Sequence, residues 1–215
     1  MLLAELDKIR KPEEYTKRTT AATAAVCLIF GIALGLFAKW LDNLGLDSGI
    51  WWHRLIEQFD LGNFFSDIAI WLLAAFAIAV FSASAIQAAV NVFVFFAGMC
   101  AAYHLYTVLF AGFNPASYMM LWYGITILSP LLAAFCWYAK GTGAAAIILD
   151  IGIMSVFTVS CFAMGFFYID VKGIIYVLVY VAAAAILYKS PRQLLITLLL
   201  SFFLSFLVHP IWPFY

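Results

Sequence analysis

The chain has 215 residues, of which 67% are hydrophobic and 10% are charged, and its mean hydropathy is +1.06. Soluble domains contain about a quarter charged residues, so this composition excludes a water-soluble globule and indicates a chain surrounded by lipid. The formal net charge is zero, which gives no sign of a nucleic-acid-binding surface.

The first 19 residues carry both signs of charge and predict a cytoplasmic amphipathic segment rather than a cleavable signal peptide. The first long apolar run begins at Thr20. We predict one transmembrane domain over residues 1–215. The cysteines lie in apolar runs, too far apart for a CxxC site, and are expected to be small buried side chains. They are Cys27, Cys100, Cys136 and Cys161.

Seven stretches approach the roughly 20 apolar helical residues that cross a bilayer core of about 30 Å. They are Thr20–Leu41, Phe64–Ser84, Ile86–Phe110, Ser117–Ala139, Ala144–Tyr168, Gly173–Tyr188 and Gln193–His209. The chain is therefore expected to be an all-α membrane protein with a bundle of about seven transmembrane helices, or six if the short sixth stretch does not cross. The uncharged link at Ser84–Ala85 requires a very tight turn between the second and third spans.

The basic residues predict the orientation of the bundle. A cytoplasmic N-terminus puts eight of the 11 Lys and Arg residues inside and three, Lys39, Arg54 and Lys172, outside. The eight are Lys8, Arg10, Lys11, Lys17, Arg18, Lys140, Lys189 and Arg192. The positive-inside rule therefore predicts a multi-pass membrane protein with its N-terminus cytoplasmic and its C-terminus extracytoplasmic.

The longest connection, residues 42–63, lies outside in this orientation. Apolar residues recur in it at helical spacing between Ile50 and Leu61, with charged residues between them. This pattern predicts a short amphipathic helix in the outer interface. The helix is either an interfacial anchor or a lid over an outward-facing cavity.

The sequence shows no recognisable catalytic constellation. It has no HExxH, no GxSxG nucleophile motif and no phosphate-binding glycine loop. His53, His104 and His209 lie far apart in three different elements. We therefore predict neither an enzyme, nor a metal site, nor a cofactor.

A few polar residues in the spans are candidates for binding or coupling, because such residues often face the interior of a bundle and mark a pathway. Asp67 lies near the start of the second span, and Asn91, Tyr103 and His104 lie in the third. Tyr123, in the fourth, is expected at a depth similar to that of His104. The alternative for His104 is a plain hydrogen bond to a neighbour or contact with interfacial water.

Asp150 lies in the stretch GTGAAAIILDIGIMSVF, which is otherwise nearly free of polar side chains. Counted from Lys140 it lies about 15 Å along a helix, close to mid-bilayer. Counted back from Asp170 it lies in the first helical turn, at the cytoplasmic edge. Three interpretations follow: a solvated residue favoured by the helix dipole, a buried structural hydrogen bond, or a carboxylate that couples a proton or substrate.

Four segments resemble an uncharacterised family of small polytopic membrane proteins of Gram-positive bacteria: GLFAKWLDNL, FSDIAIWLLAAFAIAVFSAS, AAVNVFVFFAGMCAAYHLY and WYGITILSPLLAAFCWYAKG. The resemblance covers roughly residues 31–141. It implies a fold and a membrane location and assigns no functional residue. A looser similarity, in size and apolar character, is to the S components of energy-coupling-factor transporters, which have six spans and both termini inside.

With this resemblance, we expect a bacterial plasma-membrane protein that binds or transports a small solute in an outward cavity between spans two to four. Tyr103, His104 and Tyr123 would contact the ligand, and Asp150 or Asp67 would couple a proton. The alternative is a non-catalytic membrane subunit or scaffold. In that case the GxxxG face of Gly31 and Gly35 would bind a helix of a partner subunit.

Overall fold

The computed structural model describes residues 8–165 and 168–212. This part of the chain is almost entirely helical, with one short β-hairpin. The helices are α1 (Lys17–Asp42), α2 (Trp51–Gln58), α3 (Leu61–Ser66), α4 (Ile68–Phe81), α5 (Ala85–Tyr106), α6 (Ala116–Ala139), α7 (Gly143–Cys161), α8 (Ile174–Leu187) and α9 (Pro191–Val208). A π-helical turn, Thr107–Ala111, extends α5, and a 3-10 turn, His209–Ile211, extends α9.

Five helices in the described residues are long and apolar enough to cross a membrane: α1, extended α5, α6, α7 and extended α9. Helices α4 and α8 are apolar but have 14 residues each. Fourteen residues make about 21 Å of helix, against a hydrocarbon core of about 30 Å. The helical membrane bundle is confirmed, and a count of seven spans stays a prediction.

The second predicted span, Phe64–Ser84, is not one continuous helix. It breaks at Asp67, which has extended backbone between α3 and α4 and accepts a hydrogen bond from the Ile68 N–H (2.6 Å). The indole N–H of Trp71 donates to the Phe65 carbonyl (2.9 Å), which the break leaves without a helical partner. Aspartate is one of the residues preferred at the N-cap of a helix. One short polar residue therefore divides the apolar run into two helices.

The fifth predicted span, Ala144–Tyr168, is also shorter than expected. Helix α7 ends at Cys161, and the chain continues into an antiparallel hairpin of β1 (Phe162–Met164) and β2 (Ile169–Val171). Residues 166–167 of this predicted span lie outside the described residues. Aromatic and β-branched residues favour strands, and the exposed Asp170 in β2 marks the hairpin as the polar end of the span.

The helices alternate in direction. Gln87 at the start of α5 donates to Thr23 near the start of α1 (2.7 Å), and Gln193 at the start of α9 donates to Asp150 near the start of α7 (2.8 Å). Arg10 donates to carbonyls near the ends of both α4 and α6. One end of the bundle therefore contains the starts of α1, α5, α7 and α9 and the ends of α4, α6 and α8.

The two ends differ in charge. Arg10, Lys140 and Lys189 lie at the end just described, which we call the basic end. Asp42, Asp60 and Asp67 lie at the opposite end, which we call the acidic end. This separation matches the charge distribution from which the orientation was predicted.

Helices α1 and α5 pack closely through glycine. A Cβ at Gly31 would overlap the Phe95 carbonyl, and one at Gly35 would lie 2.6 Å from the Met99 carbonyl oxygen. Small residues permit such an approach of two backbones. The Gly31/Gly35 face is thus covered by α5 of the same chain and is not free for the partner helix of the scaffold alternative.

The surface of α9 has the inverted polarity of a membrane protein. Its Ser201 and Ser205 are fully buried, whereas Phe203 and Leu207 are 66% and 73% exposed. Each large apolar side chain left in water would lose about 1.5–3 kcal/mol of the free energy that it gains in an apolar environment. Lipid therefore surrounds this face of the bundle, as the composition predicted.

The described part of the predicted N-terminal segment is not helical before Thr16. Residues 1–7 lie outside the described residues, and 8–16 run along the basic end in irregular structure. The Ile9 carbonyl accepts from the Thr142 N–H (2.9 Å), and the Glu13 N–H donates to Ala83 (2.8 Å) in the predicted tight turn between α4 and α5. This segment therefore contacts both the α4–α5 link and the α6–α7 link at the basic end.

Candidate functional site

The largest cavity characterised in the described residues lies at the acidic end and has a volume of about 540 Å³. Ligand sites commonly have volumes of about 300–1,000 Å³. Residues from the end of α1, from α2 and α3, from the end of α5 and from the start of α6 line it. They are Leu41, Asp42, Leu46, Ile56, Glu57, Asp60, Gly62, Asn63, Ser66, Tyr103, Phe113, Pro115 and Tyr118.

Helix α2 forms one wall of the cavity through Ile56 and Glu57. It corresponds to the predicted amphipathic helix and is fastened on its other side. The buried His53 accepts a hydrogen bond from the Asp47 N–H (2.8 Å) through Nδ1, and Trp52 stacks on Trp40 of α1 at 6.3 Å between ring centroids. These contacts hold α2 over the end of α1, where a lid would have to lie.

Asp42 organises the wall where α1 meets α5. Its Oδ2 accepts from the Tyr103 hydroxyl (2.9 Å), and its Oδ1 accepts from Ser66 (3.1 Å). The buried Lys39 forms an ion pair with Asp42 (3.6 Å), and its ammonium lies 5.1 Å from the Tyr103 ring centroid and 5.7 Å from that of Phe113. A carboxylate and two rings therefore surround one ammonium group.

The rim carries two further carboxylates, Glu57 and Asp60. Asp60 has a left-handed backbone (φ 49°), which is unusual for a non-glycine residue. Asn63 donates to both carboxylate oxygens of Asp60 (2.9 Å each) and fixes its orientation. The strained backbone and the bidentate bond hold this carboxylate at the mouth of the cavity.

The structure separates the predicted ligand residues. Tyr103 lines the cavity, whereas His104 and Tyr123 do not. His104 Nδ1 shares a hydrogen bond with the Tyr123 hydroxyl, and the two rings stack. Tyr123 is 37% exposed at the surface of the bundle. The expected similar depth of this pair is observed, and the pair satisfies its own polar groups, as in the alternative interpretation of His104.

Asp67 caps α4 and pairs with Lys172 (3.2 Å) at the acidic end. Asn91 lies near the basic end, buried, where its amide donates to Ser82 Oγ (3.0 Å). Neither residue lines the cavity at the acidic end. The candidates from the sequence therefore lie at both ends of the bundle rather than in one site.

Asp150 is fully buried near the basic end, which excludes the solvated interpretation. It is the eighth residue of α7, so it lies about 10 Å from the start of the helix. Its Oδ2 accepts from Lys189 Nζ (2.9 Å) and from Gln193 Nε2 (2.8 Å). The structural and the coupling interpretations both remain open at this point.

Two basic residues beside Asp150 donate hydrogen bonds to carbonyls at helix C-termini. Lys189 donates to the Ala139 carbonyl at the end of α6 (2.6 Å), and Lys140 donates to the Ile186 carbonyl at the end of α8. Burial lowers the pKa of Lys140, and the charge of Lys189 lowers it further. Cations are favoured at helix C-termini, so these two lysines stabilise the basic end of the bundle.

Sequence reasoning missed most of these partners. Glu57, Asp60 and Asn63 were assigned to a connection and not to a cavity, although α2 was expected there. Lys189 was counted only as an inside charge. The signal for the Asp150 environment was a polar residue every four positions along an apolar run: Gln193, Thr197, Ser201 and Ser205, all buried.

No known protein family, curated protein or solved structure matches the chain. The resemblance to a Gram-positive membrane family therefore stays a prediction.

Proposed function

We propose that the protein binds a small organic cation in the cavity at the acidic end, and that this end faces the outside of a bacterial plasma membrane. The observation that carries the proposal is the lining of the cavity. Asp42, Glu57 and Asp60 supply three carboxylates, and Tyr103, Phe113 and Tyr118 supply three aromatic rings. Carboxylates and ring faces both attract ammonium groups.

The balance of charge favours a cation over an anion. Lys39 offsets the charge of Asp42, which leaves Glu57 and Asp60 to act on a ligand. Both residues are exposed at the rim, where they raise the local concentration of cations. An anionic solute would meet repulsion from the same two carboxylates.

Lys39 indicates how such a ligand is held. Its ammonium already lies between Asp42 and the rings of Tyr103 and Phe113. A ligand ammonium between Glu57 or Asp60 and the Tyr118 ring would use the same combination of groups. The apolar Leu41, Leu46 and Ile56 would contact its hydrocarbon part.

Binding is tested with purified protein in lipid nanodiscs and four probes that differ in charge: choline, putrescine, glutamate and glucose. Choline or putrescine should raise the melting temperature, because a ligand that binds only the folded state stabilises it. Glutamate and glucose should not. Stabilisation by glutamate alone, or by none of the four, contradicts the proposal.

Transport of the bound cation, which the sequence predicts as the alternative to binding alone, is tested in proteoliposomes. A labelled cation that stabilises the protein should accumulate when an inward gradient of that cation or of protons is imposed. Glu57→Gln should reduce uptake, whereas Asp170→Asn, a change to an exposed carboxylate in β2 that does not line the cavity, should not. Binding without uptake would restrict the function to binding.

A further inference from the structure

The buried carboxylate of Asp150 is hydrogen-bonded through one oxygen only. Lys189 and Gln193 both donate to Oδ2, and Oδ1 has no hydrogen-bond partner in the part of the chain that the structure describes. The side-chain oxygen of Gln193, Oε1, is likewise buried without a partner there. Both orphaned atoms are acceptors, on two side chains that already touch.

Two orphaned acceptors on a pair of hydrogen-bonded side chains call for a donor. Buried polar groups in native proteins nearly always have a hydrogen-bond partner, because leaving one unsatisfied costs the full desolvation of that group. A carboxylate and an amide oxygen supply only acceptors. One proton held between the two oxygens would satisfy both of them.

A carboxylic acid and a primary amide complement each other through two hydrogen bonds. The amide N–H donates to the acid carbonyl, and the acid O–H donates to the amide oxygen. The first of these bonds exists between Gln193 Nε2 and Asp150 Oδ2 (2.8 Å). A proton on Asp150 Oδ1 would provide the second and satisfy both orphaned atoms at once.

The surrounding charges disfavour a metal cation here. Lys189 from the α8–α9 link and Lys140 from the end of α6 both face the carboxylate, and Arg10 of the N-terminal segment lies beyond Lys140. The other polar groups are Gln193 and Thr197 of α9, whose side chains are hydrogen-bonded to each other (3.2 Å). Hard cations require about six oxygen ligands, which this set does not supply.

Lys189 has a partner for either charge state of Asp150. Besides the carboxylate, its ammonium donates to the Ala139 carbonyl (2.6 Å). Its side chain is 23% exposed and can reach solvent at the basic end. Neutralising Asp150 therefore does not leave a buried ammonium without an acceptor.

We propose that Asp150 and Gln193 form a proton-binding site with two states. In one, ionised Asp150 pairs with Lys189. In the other, a proton taken from water at the basic end is bound to Oδ1, and the neutral acid pairs with the Gln193 amide. The site does not depend on the cation-binding cavity at the acidic end, and it acts whether or not that cavity has a ligand.

Infrared difference spectroscopy tests the proposal on full-length protein in nanodiscs titrated from alkaline to acid pH. The carbonyl stretch of a buried carboxylic acid should appear on acidification. It should be absent in Asp150→Asn and retained in Asp170→Asn. In Gln193→Leu it should move to higher frequency, because the acid loses its amide partner.

Three outcomes would overturn the site: no such band at any pH at which the protein stays folded, a band that persists in Asp150→Asn, or a band unchanged in Gln193→Leu. A band unchanged in Gln193→Leu would mean that protonated Asp150 does not need the Gln193 amide.

Lys189→Gln provides a second test if Asp150→Asn does not fold. Removing the positive charge should move the midpoint of the band to higher pH, whereas Lys172→Gln, at the opposite end, should not move it. An unmoved midpoint in Lys189→Gln would count against the two-state site.

Discussion

At the scale of single residues, the partners of Asp150 explain how this bundle tolerates a buried carboxylate. The side chain has no exposure to solvent, and two donors compensate its charge on Oδ2. Removing one partner of a buried ion pair is costly because the other charge stays buried alone. Lys189 is partly exposed. Its removal should therefore lower the free energy of unfolding by an amount near the lower end of the range of about 3–5 kcal/mol for buried pairs.

We therefore expect Lys189→Met to lower the free energy of unfolding by about 3 kcal/mol, measured as thermal unfolding in detergent. Arg192→Met is the matched control, since Arg192 is exposed on the same end of α9, and it should change stability by less than about 0.5 kcal/mol. Adding Asp150→Asn to Lys189→Met should recover part of the loss. Equal effects of the two single Lys and Arg changes would show that the ion pair contributes nothing.

Residues distant in the sequence explain why the site was only partly predictable. Asp150 was identified from its position in an apolar run, but two helical counts gave it two depths. The structure shows that α7 starts at Gly143 and that Lys189, 39 positions after Asp150, returns to the same end of the bundle. Asp42 and Tyr103 likewise meet across 61 positions. A single sequence gives no means of pairing such residues.

At the scale of elements, the length of an apolar run predicts that a helix is present but not where that helix ends. Each of the seven apolar stretches contains a helix, because lipid leaves no alternative for the backbone. The errors occur where a local feature ended the helix within the apolar run. Asp67 caps α4 inside the second stretch, and the β1–β2 hairpin follows Cys161 inside the fifth. The amphipathic α2 was predicted from its spacing and observed within one to three residues of its expected ends.

The contact of α1 with α5 gives a prediction about packing. Gly31→Leu should lower the melting temperature in detergent by several degrees, because its side chain would overlap the backbone of α5 at Phe95. Gly124→Leu in α6 is the control, since nothing lies within 4 Å of a Cβ at that position. If both variants melt like the native protein, α1 does not pack on α5 through this glycine.

At the scale of the whole molecule, the alternating direction of the helices implies that the basic and acidic ends of the bundle lie on opposite sides of a membrane. The basic end contains Arg10, Lys140 and Lys189, and the acidic end contains the cavity that we propose binds a cation. The positive-inside rule would then place the basic end in the cytoplasm. Helices α4 and α8 must cross despite their 14 residues if this alternation holds in a membrane, which requires local thinning of the bilayer.

Labelling of single introduced cysteines tests this orientation. In intact cells, a membrane-impermeant thiol reagent should modify Asn114→Cys and Asp170→Cys at the acidic end. Lys11→Cys and Arg192→Cys should react only after the cells are permeabilised. Free native cysteines should contribute little, since Cys100 and Cys161 are buried and Cys27 and Cys136 are half-buried. Labelling of Asp170→Cys from the same side as Lys11→Cys would show that the helices do not all cross.

Isothermal titration of putrescine into nanodisc-embedded protein tests the central claim, cation binding at the acidic end, most directly. We expect one saturable site in the native protein. In Asp60→Asn, affinity should fall about tenfold to a hundredfold, because a hydrogen bond between charged groups contributes roughly 1.5–3 kcal/mol. Asp170→Asn should bind like the native protein. Absence of saturable heat, or equal affinity in the native and Asp60→Asn proteins, would contradict the account.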